Sequence, residues 1–139
     1  MPDGQIPFSI ADRKTGAAAA PKLSVVPARN MEDMMRVTAI RAAVYMSEQA
    51  CPYEEEFDGN DLCASHVIAY SKGQPIATLR LRWFAGFGKI ERVSILPAFR
   101  GSGVVKVMLA ASLEIASRKG YRRMLAQIQA RLWPLWSKT

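Results

Sequence analysis

The chain has 139 residues, half of them hydrophobic, and carries 19 Lys and Arg against 12 Asp and Glu, a net charge of +7. That length supports one domain that buries most of its apolar surface without disulfide or metal staples, and no run reaches the ~20 apolar residues of a membrane helix. Two cysteines, Cys51 and Cys63, and a single histidine, His66, supply too few ligands for a metal site of ordinary spacing, so both thiols read as reduced packing groups.

The charge is unevenly placed. Residues 1–85 hold nine basic and ten acidic side chains, whereas residues 86–139 hold ten and two. The second half therefore projects a field that draws in a polyanion. Nucleic acid is the poorer match, because the basic residues are not interleaved with stacking aromatics. The first residues include Asp3 and Asp12 and lack a charged-then-apolar export pattern, so the chain reads as cytoplasmic with no membrane partner.

Residues 1–22 mix Gly, Pro, Phe8 and the Ala17 to Ala20 run without either period, and read as a flexible leader to a domain spanning 23–139. Leu23 to Val26 has β-branched character and predicts the first strand, stopped by Pro27. Asn30 is a candidate N-cap, Glu32 and Asp33 suit the helix dipole, and Met34, Val37, Ile40, Arg41 and Val44 follow at helical spacing. A helix over 31–49 results, its methionines lining a core or a substrate groove. The segment from Ser47 to Asp61 is turn-rich and acidic, with Tyr53 and Phe57 among Glu54, Glu55, Glu56 and Asp58. Such a charge run is ordinarily a solvated loop.

His66 to Tyr70, a turn at Lys72-Gly73-Gln74-Pro75, and Ile76 to Phe84 predict a hairpin. In its second strand Ile76, Thr78, Arg80 and Arg82 alternate with Ala77, Leu79, Leu81 and Trp83, implying one buried and one more polar face. His66 reads as structural. A turn over Phe84 to Gly88 leads to a strand from Lys89 to Ile95, and a helix over 103–119 places Val105, Met108, Leu109, Ser112, Leu113 and Ala116 on one face until Gly120 stops it. Arg123 to Ile128 predicts a fifth strand, and Arg131 to Ser137 begins another helix.

The stretch from Val93 to Lys106 carries the chemistry. A β-branched strand passes through Pro97 and the glycines at 101 and 103 into a helix start, where uncapped N–H groups and positive dipole favour an anion, with Arg100 and Lys106 flanking. A Walker A loop is excluded because Val104 follows Gly103, and the dinucleotide fingerprint because position 106 is Lys. Arg100, Gly103 and Val105, after Val93 and Pro97, resemble the Arg/Gln-x-x-Gly-x-Gly/Ala pyrophosphate loop of the GNAT acyl-CoA N-acyltransferases. Val105 departs from that pattern, standing where a small residue is usual. A second resemblance, to the ElaA-like branch, lies in Glu48, Gln49, Cys51, Pro52, Tyr53, Glu56, Asp58, Gly59 and Asp61.

The resemblance implies an α/β (α+β) fold with a mixed, mostly antiparallel sheet flanked by helices, covering residues from about 23 to the end. It also implies acetyl-CoA or another acyl-CoA as cofactor and direct attack of a small amine on the thioester. The cofactor would be held by Arg100, Gly101, Ser102, Gly103, Val104, Val105 and Lys106, with Val93 and Ile95 pairing to the pantetheine arm beside a bulge where the fourth strand splays from the fifth. The Val93 or Ile95 backbone N–H would meet the thioester oxygen, and the site assigns Ile95 to it. Glu91, the one carboxylate on this strand, is the candidate base, with Glu56 and Asp58 as alternates; its other reading is a surface carboxylate paired with Arg92 or Arg80. Tyr53, Glu56 and Asp58 would face the acceptor. Leu135 and Trp136 stand at the family's aromatic and Tyr positions, and the chain stops at Thr139 where Gly-Phe and two more strands are expected. The closing hairpin is therefore read as missing, its edge completed by a second copy of the chain or by a longer form. Competing readings are an acyl-homoserine-lactone-synthase-like enzyme with a longer acyl donor, and a non-catalytic acyl-CoA-binding subunit.

Overall fold

The computed structural model describes residues 23–126. The leader and the features read after Ala126, including the Trp136 position, lie outside the described residues. Five strands, β1 (Leu23–Pro27), β2 (Ser65–Ser71), β3 (Gln74–Phe84), β4 (Phe87–Ile95) and β5 (Met124–Ala126), form one sheet in sequential order. Neighbours are antiparallel except for β5, which runs parallel to β4. With helices α1 (Met31–Arg41), α2 (Tyr53–Glu56) and α3 (Val104–Arg118), this is the mixed sheet the sequence implies.

Local chemistry accounts for the element ends. The Asn30 side chain accepts from the Asp33 N–H at 2.8 Å while the Asp33 carboxylate accepts from the Arg29 N–H at 3.0 Å, a reciprocal cap worth about 1 kcal/mol. The β2–β3 turn places Lys72 and Gly73 at φ +49° and +81°, the left-handed pair whose twist suits a two-residue hairpin loop. One expectation changes here. The first helix is α only to Arg41 and continues as a π-helix over Ala42–Glu48, closed by the Gln49 N–H donating to the Val44 carbonyl at 3.1 Å.

Both faces of the sheet are covered. Val67, Ala69, Leu79, Leu81 and Ile90 pack with Val104, Val107, Met108 and Ala111 of α3 in one apolar cluster. α1 contacts β2, β3 and β4 and shares ion pairs with Arg80, so it lies on the opposite face. The alternation in β3 thus assigns the faces correctly but not their exposure, since Thr78 and Arg80 are fully buried. On α3 the inward set is Val104, Val107, Met108, Ala111, Ser112 and Ala116, while Leu113 is 53% exposed. The helix turns its smaller residues to the sheet, which allows close approach, and leaves Leu113 outside. On α1, Met34 is half-buried and Met31 and Met35 are exposed, so the core there rests on Val37, Ile40 and Val44.

Gly88 of β4 sits where a Cβ would lie 2.6 Å from Met124 Sδ and 2.9 Å from the Trp83 ring. Gly88→Ala is expected to lose about 1–3 kcal/mol of stability through overpacking, read as a lower urea midpoint at unchanged slope.

Candidate active site

The site is assembled from a strand bulge, an ion-pair network and a glycine loop. Thr78 pairs with Ser94 and Arg80 with Glu91, so Arg92 and Val93 together face the single residue Leu79. Arg92 takes φ +53°, a left-handed conformation that costs a non-glycine residue about 1 kcal/mol or more. Several contacts hold it there. Arg92 donates to the Glu55 carbonyl at 2.8 Å and to Asp58 Oδ2 at 3.2 Å, and its guanidinium lies 5.7 Å from the Tyr45 ring centroid. The Ser94 hydroxyl donates to the Arg92 carbonyl at 3.1 Å, and the Tyr45 hydroxyl to the Val93 carbonyl at 3.0 Å. Burial pushes the Tyr45 phenol above its ordinary pKa, so it is a neutral donor.

Beyond the bulge β4 has an open edge. The Leu96 N–H donates to the Ile76 carbonyl at 3.0 Å, and Ile95 pairs with Ala77. By antiparallel alternation the Ile95 N–H and C=O then point away from β3. The Ile95 carbonyl accepts from Arg100 Nε at 3.1 Å. Among the described residues β5 pairs with β4 only over Gly88–Ile90, leaving the Ile95 amide on an unpaired edge.

The acidic segment folds back onto this region. Arg80, on the α1 face of β3, meets Asp58 through two contacts of 3.0 Å, Asp61 at 3.0 Å and Glu91 at 3.1 Å. Arg41 of α1 meets Glu56 at 2.5 Å and Asp61 at 2.6 Å, and Arg82 meets Glu91 at 3.3 Å. The Arg80 hydrogen bonds hold the Asp58 carboxyl far below the usual carboxylate range. Burial alone would raise Asp61, but Arg41 and Arg80 together bring it below its ordinary value. For Arg80 burial opposes the charge, and Asp58, Asp61 and Glu91 outweigh it.

Downstream, Pro97–Phe99 makes one 3-10 turn and Arg100 is extended. Gly101 and Gly103 follow at φ +82° and +86°, and Gly103 caps α3 with no side-chain hydrogen bond. The N–H groups of Val104, Val105 and Lys106 precede the first intrahelical bond, which runs from the Val107 N–H to the Gly103 carbonyl.

The predicted residues sort as follows. Gly101, Ser102, Gly103 and Lys106 are exposed around the helix start, Val104 is buried beneath it and Val105 is half-buried; Ser102 Oγ turns back to the Phe99 carbonyl at 2.6 Å. Arg100 is turned from the loop toward α1, where Glu48 takes its guanidinium through two contacts of 2.5 and 2.6 Å. Glu91 has both oxygens engaged by arginines. Glu56, with none of its surface exposed, and Asp58 are likewise placed inside the network. Tyr53 is exposed and tilted against Phe57 at 5.0 Å. Sequence reasoning missed Arg41 and Tyr45, and offered Arg80 and Arg92 only as alternative partners for Glu91, of which Arg80 is the one that holds it. The available signal was three arginines set within apolar helix and strand patterns.

A mixed sheet whose fourth strand bulges, ends in a glycine turn and meets an uncapped helix start is the framework of the acyl-CoA N-acyltransferase class. The model of the Acetyltransferase (GNAT) family matches residues 33–137, and the chain belongs to that family. It is 36% identical over 92 residues to the putative acetyltransferase BSU40680 of Bacillus subtilis (strain 168), a match covering 64% of this chain and 63% of that protein. The crystal structure of an acyl-CoA N-acyltransferase from Pseudomonas aeruginosa superposes with a TM-score of 0.73 at 28% identity, covering 84% of this chain and 86% of that one. Escherichia coli ElaA shares the fold, with a TM-score of 0.73 at 21% identity over 84% of each chain.

His66, buried with Nε2 3.1 Å from the Asp61 carbonyl, has its pKa lowered by burial. The unfolded chain takes up a proton near pH 6.5 that the folded chain refuses, so stability falls as pH drops from about 7 toward 5. Asp58 and Asp61, depressed in the fold, contribute stability that is present above about pH 4 and lost as pH falls further. Calorimetric Tm measured from pH 8 to 3 is expected to decline in these two stages, and His66→Gln to flatten the first while leaving the second.

Proposed function

We propose that the chain is an acyl-CoA-dependent N-acyltransferase that promotes direct attack of a small amine on the thioester. The carrying observation is continuity: the open Ile95 edge of β4 runs within a few residues into the uncapped helix start at Gly103. The name of the Pseudomonas aeruginosa neighbour, an acyl-CoA N-acyltransferase, supports the same donor class.

Backbone N–H groups of the Gly101 to Lys106 turn would take the pyrophosphate, aided by the helix dipole and the exposed Lys106 ammonium. Val93 and Ile95 would receive the pantetheine amides as an added strand on the free edge. The Ile95 N–H would meet the thioester oxygen as negative charge develops on it. Holding donor and amine together removes much of the entropic barrier.

Both Glu91 oxygens are engaged by Arg80 and Arg82, so Glu91 belongs to the architecture of the bulge; as the C–N bond forms and the C–S bond breaks, the amine's proton would pass to water and CoA would leave as the thiolate, to be protonated by water. Glu56 and Asp58 serve the network in the same way, leaving Tyr53 as the acceptor-side candidate, next to exposed Glu54 and Glu55. Arg100 would orient the loop through Glu48. Acetyl is the proposed acyl group.

A thermal melt with acetyl-CoA, CoA and a long-chain acyl-CoA tests this. At ~100 times its dissociation constant a specific ligand adds about 2.7 kcal/mol of stability, so a clear upward shift is expected, larger for acetyl-CoA than for the long chain at equal concentration. Lys106→Glu, an exposed charge reversal, is expected to lower the affinity about tenfold while keeping the fold, and Gly103→Pro, which cannot hold φ +86°, to abolish the shift. A parent chain that melts at one temperature with every donor sinks the reading.

A further inference from the structure

The π-helical end of α1 aims one side chain at the bulge without being part of the sheet. Tyr45 reaches the Val93 carbonyl at 3.0 Å, 48 residues along the chain. Within the π-helical stretch Ala42–Glu48, Val44 is buried and Tyr45 is half-buried beneath β4.

The Val93 carbonyl needs this partner. Its residue belongs to the two-residue side of the bulge, where the ladder to β3 is interrupted and an extra residue is left unpaired. The direction of the Val93 peptide plane decides how the chain resumes its pairing at Ser94, and hence where the Ile95 N–H points. A hydroxyl donated from outside the sheet fixes that plane. Val93 is the residue immediately after left-handed Arg92, which has little intrinsic preference for this geometry.

We infer that Tyr45 is a positioning residue for acyl transfer, its hydroxyl fixing the Val93 peptide so that the Ile95 N–H is aimed at the thioester oxygen; this rests on the acyl-CoA reading above. Tyr45 touches neither reacting atom. Its contribution is to the part of binding that senses the acyl carbonyl, and the glycine loop that takes the pyrophosphate is held by a different pair of side chains, Arg100 and Glu48.

That separation supplies the experiment. Calorimetric titration of the whole chain with CoA and with acetyl-CoA is compared for the parent and Tyr45→Phe, which keeps the ring under Arg92. The infrared carbonyl band of bound acetyl-CoA is recorded for both. The parent is expected to prefer acetyl-CoA by about 3–10-fold, the range of one hydrogen bond, and to shift the carbonyl band on binding. Tyr45→Phe is expected to bind CoA within twofold of the parent, lose the preference and lose the band shift. An unchanged preference and band shift in Tyr45→Phe overturns the inference alone. So does a parallel weakening of both ligands, which would mark Tyr45 as a general support of the fold. A parent that binds neither ligand overturns the acyl-CoA reading, and this inference with it.

Discussion

Arg80 is a full positive charge with none of its surface exposed, set in β3 between two leucines of the α3-facing core. Removing such a charge from water costs several kcal/mol even after relaxation, and the surrounding chain is arranged so that the cost is met. Asp58 and Asp61 approach from the acidic segment and Glu91 from the next strand. For the two aspartates to reach, the segment after α2 must fold back onto the α1 face of the sheet. Once there, Glu56 meets Arg41, and Asp58 Oδ2, already taken by Arg80, also accepts from Arg92. The left-handed residue of the bulge is therefore tied, through Asp58, to the fully buried Arg80. An apolar set of similar volume would often be as stable or more so. What the charges add is direction, since few other arrangements satisfy all of them.

The two halves of the proposed cofactor path share one reference element. Tyr45 meets the bulge and Glu48 meets Arg100, and both lie on the π-helical end of α1. These two residues of one helical stretch thus set the edge of β4 and the glycine turn relative to each other. Arg100 and Glu48 are each well exposed, and exposed pairs of this kind contribute about 0–1 kcal/mol. Their effect is on geometry: two parallel contacts orient a planar guanidinium, and Arg100 Nε then fixes the Ile95 carbonyl. The loop is held by its first residue, and among the described residues the N–H groups of Val104, Val105 and Lys106 meet no acceptor.

What could be read from the sequence was local. The strand, Pro97, Gly101, Gly103 and helix lie within some fifteen residues, and each constrains the next, so their arrangement follows from composition and order alone. The caps at Asn30 and the Lys72-Gly73 turn are of the same kind. The phase of α3 was harder because Val104 to Leu113 is apolar nearly all round apart from Lys106, and a periodic count there has no sharp optimum. The network was harder still. Alternation in β3 places Arg80 and Thr78 on one face, but whether water or a helix covers that face depends on α1, some forty residues earlier. The acidic segment has the composition of a solvated loop, and only partners 15 to 37 residues away convert it into the underside of the site.

This rearranges the electrostatics of acceptor binding. Glu56, Asp58, Asp61 and Glu91 face Arg41, Arg80, Arg82 and Arg92, four charges of each sign, so the cluster as a whole adds no net field. At physiological ionic strength exposed charges are screened beyond about 8 Å, which leaves the donor side to local cations, Lys106 above all, together with the helix dipole. On the proposed acceptor side each of these carboxylates is ion-paired to arginine, which leaves little of its charge for an ammonium group. A cationic amine would in any case have to lose its proton before attack, and a strongly anionic surface would stabilise the protonated, unreactive form. A near-neutral floor beneath the bulge avoids that penalty. In the proposed reaction, selection among amines would then fall to shape and hydrogen bonding around Tyr53 and Phe57, whose rings pack tilted against each other at 5.0 Å.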